Sequence, residues 1–232
     1  TGTETSATHA PDHLFAPGNY TLAVWNPAEG ITVNGTTATI AAVTENWVNT
    51  GVFVNNALGW FFTYTEQVSI EKDKDYPLTA AMKQQVRELT LVIEPTGDAA
   101  GRITEIAASL TGAAGTLDFA TDTYGAASSV ALPFTKITEG ADAGKWKATV
   151  RLLGVTGTEQ LLTGEIRYAD NNPLPTTLKS DLTEALKDFN TGKSESLTLG
   201  GTLVETPEET EFSESEITGW ETVEGGDVDA KM

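Results

Sequence analysis

The only two histidines of the chain stand close together, in the segment His9-Ala-Pro-Asp-His13. With Asp12 they offer two imidazoles and a carboxylate, a donor set that suits zinc or another divalent ion. Pro11, however, breaks the helical register that would aim both rings at one ion. A Ser-His-Asp triad would also have to draw on this segment. We interpret it as a solvated N-terminal segment and predict no metal site.

Three further patterns match catalytic or ligand-binding motifs only in part. Ser69-Ile-Glu-Lys72 has the S-x-x-K spacing, but that chemistry needs a serine at a helix start, whereas these residues end a predicted strand. The loop Gly140–Trp146 lacks phosphate-loop spacing and has Trp where Ser or Thr must reach magnesium. Asp73, Asp75 and the run 225–229 lack the twelve-residue calcium loop. The sequence therefore predicts no catalytic residue and no cofactor.

Sugar chemistry leaves one alternative open. No pair among the thirty-three acidic residues is singled out for glycoside hydrolysis. Tryptophans 25, 47, 60 and 146 are candidates for a stacking platform, although Trp in a β-sandwich more often packs in the core. A carbohydrate-binding module that uses exposed Trp25 and Trp60 is therefore the alternative function.

Composition narrows the possible partners. Thirty-three acids against fourteen bases give a net charge of −19, which repels phosphate backbones and anionic membrane surfaces. We expect no nucleic-acid partner. The uncharged stretch 46–65 contains four Asn and two Gly, so we predict a pair of strands there rather than a membrane span. The chain has no cysteine, which excludes disulfides and thiolate metal sites within it.

The hydrophobic pattern is that of a mainly β protein. Tyr20, Leu22 and Val24 alternate with Thr21, Ala23 and Trp25, with both faces partly apolar. Asn34-Gly35 between two apolar runs predicts a hairpin turn. Further strands are predicted over 51–54, 60–64, 68–71, 86–94, 102–110, 115–120, 130–137, 145–153, 160–168 and 196–205. We predict an N-terminal β-sandwich over 1–78, a C-terminal one over 79–210, and an acidic tail over 211–232.

One helix is predicted against this background, over Thr177–Asn190. Leu178, Leu182, Leu186 and Phe189 are spaced by four, four and three residues, which would form one apolar stripe. A threonine near the start and Gly192 after the end favour capping.

The C-terminal stretch 205–232 carries ten acids, yet large apolar residues interrupt it. Ile217, Trp220 and Val223 are candidate partner contacts, because a tail that only solvates would not need them. Two alternatives remain open. Either these residues hold the stretch against the chain's own second domain, or residues 216–223 form a strand offered to a neighbouring subunit.

Several stretches together resemble a known family. They are PGNYTLAVWN (17–26), MKQQVRELTLVIEPTG (82–97), ITEIAASLTGAAGTLDFATD (103–122), PLPTTLKSDLTEALKDFN (173–190) and ITGWE (217–221). They are similar to the fimbrillin-like, minor-fimbrium anchor and accessory subunit lipoproteins of Bacteroides-type bacteria, with the similarity spread over roughly residues 14–221.

The resemblance implies two transthyretin-like β-sandwich domains and export to the cell surface and outer membrane. It also implies a non-catalytic role in anchoring, assembly or adhesion, with other fimbrial or surface proteins as partners. Glycans are candidate partners only under the carbohydrate-binding alternative. A membrane link is expected only through a lipid-bearing cysteine upstream of Thr1. Shaft subunits of that family are cleaved after a basic residue near the N-terminus. Here the first basic residue is Lys72, so an anchor or accessory subunit is expected.

Overall fold

The computed structural model describes residues 9–10, 13–44, 52–98, 100–171, 173–205 and 214–223. Within these ranges the chain forms sixteen β-strands and no α-helix. Two three-residue 3-10 segments, Ala100–Arg102 and Ala169–Asn171, are the other elements there. The predicted mainly β class is confirmed.

The strands are β1 (Gly18–Trp25), β2 (Ile31–Asn34), β3 (Thr37–Ile40), β4 (Ala42–Val43), β5 (Phe53–Val54), β6 (Phe62–Ile70), β7 (Lys83–Gln84), β8 (Arg87–Pro95), β9 (Ile103–Asp118), β10 (Thr123–Pro133), β11 (Thr135–Lys136), β12 (Trp146–Leu152), β13 (Leu161–Tyr168), β14 (Thr176–Asp181), β15 (Leu197–Glu205) and β16 (Glu214–Thr222).

They form a small and a large sheet. The small sheet has the order β1-β6-β7, and the large one runs β11-β12-β8-β15-β16-β14-β13-β9-β10-β5-β4, with the hairpin β2–β3 joined through β3 to β9. The pairs β8–β15, β14–β16 and β5–β10 are parallel. A bridge between Ala57 and Arg151 connects the segment after β5 back to β12. The large sheet therefore curls on itself, as in a β-sandwich.

The predicted hairpin is present with a different turn. Asn34 pairs with Thr37 as the last residue of β2, so Gly35 and Thr36 make the turn. Gly35 adopts a φ of 60°, which glycine reaches without steric cost.

Two predicted breaks between strands are absent. Residues 62–64 and 68–70 of two predicted runs lie on the single strand β6, and residues 103–110 and 115–118 of two others lie on the sixteen-residue strand β9. Gly112 inside β9 has a φ of 74° and closely approaches the Glu159 carbonyl oxygen, so it marks an irregularity within the strand rather than its end.

The predicted helix over Thr177–Asn190 is wrong. Residues 176–181 form β14, which pairs with β13 on one side and β16 on the other. A series of tight turns follows, with hydrogen bonds from Leu186 N to Leu182 O (2.9 Å) and from Phe189 N to Leu186 O (2.9 Å). All four apolar residues of the predicted stripe are nevertheless buried. Strand pairing on two sides outweighs local helix preference here.

One hydrophobic cluster draws residues from both halves of the sequence. Ala38, Ile40, Val54, Leu58 and Phe61 belong to the same buried cluster as the apolar residues of β8 to β16. In addition, β3 pairs with β9 and β5 with β10. The two-domain division near residues 75–85 and the transthyretin-like topology stay predictions.

Candidate partner-binding site

The predicted C-terminal contact segment forms β16, which lies inside the large sheet. It runs parallel to β14 and antiparallel to β15. The pairing with β14 covers residues 214–216, whereas the pairing with β15 covers residues 215–218 and 221–222, so only the start of β16 has a neighbouring strand on both sides.

Side chains fix β16 on this sheet. Ile217 is buried, with 2% of its surface exposed. Trp220 packs partly buried against the core, and its Nε1–H donates to Ser180 Oγ (2.8 Å). The Ser180 hydroxyl in turn donates to the Ile217 carbonyl oxygen (2.7 Å). Ser180 thus links β14 to β16 at two points.

Of the three predicted contact residues, only Val223 is exposed. Its N–H donates to the Thr198 carbonyl oxygen (3.0 Å). In this conformation the segment packs on its own chain, which corresponds to the first of the two alternatives raised by the sequence.

The two predicted platform tryptophans lie in different surroundings. Trp25 ends β1 and packs against the core, with its ring centroid 6.2 Å from that of Phe119. Trp60 is 40% exposed, and the Arg151 guanidinium lies over its ring at 4.9 Å from the centroid. Trp146 is buried and not available to a sugar. Trp47 lies outside the described residues.

The structure places two of the partial motifs in a strand and in a loop. Ser69 lies in a strand. In the loop 140–146, Lys145 pairs with Asp142 (2.8 Å) and Glu94 (3.4 Å), and the Asp142 hydrogen bond is the largest cause of its raised pKa. No group of three or more His, Cys, Asp or Glu residues that could hold a metal occurs within the described ranges. Asp12 and 225–229 lie outside them.

The sequence analysis missed a buried lysine. Lys193 is 5% exposed, its Nζ donates to Gln85 Oε1 (2.7 Å), and it lies 4.8 Å from the Tyr124 ring centroid. Desolvation by burial lowers the Lys193 pKa to about 8 and raises the Tyr124 pKa to about 12. Gln85 Nε2 donates to Thr63 Oγ1 of β6 (2.8 Å). These contacts connect the small sheet to the turns that follow β14.

A buried arginine holds the same turns. Arg87 Nε donates to the Glu195 carbonyl oxygen (2.8 Å), and Nη1 donates to that of Phe189 (2.9 Å). The guanidinium also lies over the Phe189 ring, and desolvation lowers its pKa. No sequence motif marks Arg87 or Lys193, because their partners are more than a hundred residues away along the chain.

None of the helical segments in the described part of the chain has the length and apolar character needed to cross a membrane.

The described residues define a mainly β protein with curled sheets. The family model of the Fimbrillin-A-associated anchor proteins Mfa1 and Mfa2 matches residues 3–211. The chain belongs to this family of fimbrial anchor proteins, and the predicted family resemblance is confirmed.

Solved structures support the same fold. A candidate adhesin from Bacteroides ovatus ATCC 8483 is 14% identical, with a TM-score of 0.58 over 90% of this chain and 78% of that one. The fimbrial anchor protein Mfa2 from Porphyromonas gingivalis is 15% identical, with a TM-score of 0.54 over 90% of this chain and 76% of that one. A search of curated proteins finds no match.

Proposed function

We propose that this protein is a non-catalytic fimbrial anchor or accessory subunit of the adhesin type, which works at the bacterial cell surface and binds partner subunits through strand edges. Family membership supports the fimbrial role. Attachment to the outer membrane through a lipid upstream of Thr1 belongs to the same proposal.

The observation that carries the proposal is the edge of β1. Within the described residues this eight-residue strand pairs only with β6. The other strands that have a single neighbour there are β2, β4, β7 and β11, which have four residues or fewer. Edge strands of soluble proteins are usually short or protected by charged residues or proline. The sequence of β1, GNYTLAVW, contains neither.

The hydrogen bonds between β1 and β6 determine which backbone groups of β1 lie on its unpaired side. The Asn26 N–H donates to the Phe62 carbonyl oxygen (3.3 Å), one pair beyond the pair Trp25–Thr63. Because hydrogen-bonded pairs alternate along an antiparallel ladder, the even-numbered residues of β1 bond to β6. The N–H and C=O groups of Thr21 and Ala23 then point to the unpaired edge, where a partner strand can add.

A second proposed contact consists of Ile217, Trp220 and Val223. Unlike the edge of β1, it requires a change of conformation. Only Val223 is exposed, so a partner would reach the other two side chains after β16 had left the sheet.

A proline at position 21 tests the proposal. Thr21→Pro removes an N–H from the unpaired edge and keeps the hydrogen bonds to β6, while the matched control Thr21→Ala keeps that N–H. We expect the full chain and Thr21→Ala to bind purified fimbrial subunits equally in surface plasmon resonance, and Thr21→Pro to bind about tenfold or more weakly. Equal binding by all three would contradict the role of this edge.

Carbohydrate binding is the alternative, favoured only by the exposure of Trp60. A glycan array would separate the two functions. Sugar binding that is lost in Trp60→Ala and kept in Thr21→Pro would replace the subunit-binding proposal with the carbohydrate-binding one.

A further inference from the structure

Arg87 is a buried cation that forms no ion pair with any carboxylate of the described residues. It begins β8 and is 8% exposed. Its hydrogen bonds go to backbone carbonyl oxygens, from Nε to Glu195 and from Nη1 to Asp188 (3.3 Å) and Phe189. Desolvation is the largest influence on the Arg87 pKa and lowers it, while the charge of Glu195 opposes this. A buried charge that lacks a counter-ion is costly, so a partner from outside the chain would stabilise it.

The Nη2 amino group is the part of this guanidinium that remains available. Among the described residues Nε and Nη1 have hydrogen-bond acceptors and Nη2 has none. The only fully buried side-chain nitrogen or oxygen without a partner in the same part of the chain is Trp146 Nε1, so Nη2 is in contact with accessible space. Gly192 keeps that space open, because a Cβ atom there would lie 3.1 Å from Nη2.

Arg87 and Gly192 both line a cavity of about 370 Å³ in the turns that follow β14. Its volume falls in the range of small-molecule sites, roughly 300–1,000 Å³. Ala185 and Leu197 contribute apolar surface to it, and Thr222 lies at the same cavity. None of the described residues that line it belongs to β1, so this surface is separate from the proposed subunit-binding edge.

The other charged residues of the cavity interact with each other. Lys187 donates a hydrogen bond to the Glu184 carboxylate, which is the largest cause of its raised pKa, and the charge of Asp188 raises that pKa further. Among the described residues that line the cavity, Arg87 is therefore the cation whose charge no carboxylate matches.

These surroundings indicate the class of ligand. A guanidinium N–H binds carboxylate and phosphate oxygens through charge-assisted hydrogen bonds. Glu184 and Asp188 at the cavity, together with the net charge of −19, repel an anion that carries two or more charges. The same two carboxylates are strong acceptors for hydroxyl groups. A ligand with one carboxylate and several hydroxyl groups satisfies both conditions.

We propose that the cavity at Arg87 binds a small polyhydroxy monocarboxylate, whose carboxylate accepts a hydrogen bond from Arg87 Nη2. The ligand supplies the negative charge that the described residues do not place beside this buried guanidinium. Its hydroxyl groups bond to the polar residues of the cavity, and its carbon chain contacts Ala185 and Leu197. This inference goes beyond the proposed function and does not depend on it.

The test uses sodium gluconate as the probe and sorbitol as its neutral match, in which a hydroxymethyl group replaces the carboxylate. Binding to the full chain is measured by isothermal titration calorimetry at pH 7 and constant ionic strength. Gly192→Ala places a methyl group against Nη2 and keeps Arg87. Gly192 has no positive φ, so its backbone accepts alanine. Gly101→Ala is the matched control, because a Cβ atom there would meet nothing within 4 Å.

We expect gluconate to bind the unaltered chain and Gly101→Ala equally, and Gly192→Ala about tenfold more weakly. Arg87→Lys, which keeps the charge and loses Nη2, should weaken binding to a similar extent once circular dichroism shows that it folds. If it does not fold, Gly192→Ala decides the test alone. Sorbitol should bind at least tenfold more weakly than gluconate.

Four results would overturn the inference. The first is equal binding of gluconate and sorbitol, or no binding of either. The second is tighter binding of inorganic phosphate than of gluconate, which would assign the site to a multiply charged anion. The third is binding that is lost in Lys187→Met and kept in Gly192→Ala, which would place the anion at the exposed lysine. The fourth is binding only by a chain that ends at Val223, which would assign the cavity to the acids of residues 224–232.

Discussion

The sequences of β16 and β1 are both apolar segments that contain a tryptophan, but the two strands have different positions in the fold. A strand lies on each side of β16 at residues 215–216, and Ile217 is buried. Among the residues that the structure describes, β1 has a strand on one side only. Apolar character alone therefore does not distinguish a strand inside a sheet from a strand at its edge.

The number of neighbouring strands makes the difference. For β16, β15 pairs along most of one side, β14 pairs with residues 214–216 on the other, and Ile217 is buried. For β1, one row of backbone groups has no neighbouring strand among the described residues. Changes in β16 should therefore mainly alter stability, and changes in β1 should mainly alter binding.

The largest expected effect is that of removing β16. A chain ending at Thr210 leaves β14 and β15 without their common neighbour and loses the burial of Ile217 and Trp220, about 2–3 kcal/mol for each side chain. We expect the melting temperature to fall by about 10 °C or more in scanning calorimetry. A chain ending at Val223 keeps β16 and is the matched control. An unchanged melting temperature together with lost subunit binding would instead assign β16 to a partner.

The second largest expected effect concerns Lys193, whose contacts connect the small sheet to the turns that follow β14. The Lys193 pKa is about 8 in the folded protein against 10.5 for a free lysine. Between these values the unfolded chain binds more protons, so the free energy of unfolding should rise with pH from about 8 upward. The cost of burying the charge is fully present below pH 8. The difference between the Lys193 pKa values of the folded and the unfolded chain corresponds to about 3 kcal/mol in the free energy of unfolding.

Lys193→Met removes this titration, and Lys187→Met, at an exposed lysine, is its control. We expect urea unfolding between pH 7 and 9.5 to show a stability that rises with pH in the unaltered chain and in Lys187→Met. The rise should be absent in Lys193→Met. Parallel curves for all three proteins would show that Lys193 is not the group responsible.

The smallest effect tests how closely β15 and β16 pack. A Cβ atom at Gly201 would lie 2.6 Å from Ile217 Cγ2, whereas one at Gly101 would meet nothing within 4 Å. We expect Gly201→Ala to lower the free energy of unfolding by about 1–3 kcal/mol through overpacking. Gly101→Ala should change it by less than about 0.5 kcal/mol. Equal values in chemical denaturation would mean that β16 is not seated against β15 in solution.

The sequence was a good guide where the signal is local. Period-two alternation predicts β1, the glycine turn predicts the β2–β3 hairpin, and the run 196–205 predicts β15, because each depends on neighbouring residues. The helix over 177–190 failed because its apolar spacing fits two structures. Leu178 is buried on a strand, and Leu182, Leu186 and Phe189 are buried in successive turns.

The candidate site was only partly predictable. The sequence identifies Ile217, Trp220 and Val223 as a group, but it cannot show that Ser180 holds two of them to β14. It also shows that both faces of β1 are partly apolar, without showing which face packs on the core. Their roles in partner binding stay predictions.

By itself, the sequence determined the mainly β class, the family, and the acidic charge that disfavours nucleic-acid partners, since composition and local periodicity carry this information. Only the tertiary structure decided that β16 begins between β14 and β15, that β1 has a single neighbouring strand among the described residues, and that Lys193 is buried. The physical reason is that each of these depends on which distant segments pair. Such pairings are set by the joint burial of a core drawn from the whole chain, to which Ala38 and Ile217 both belong.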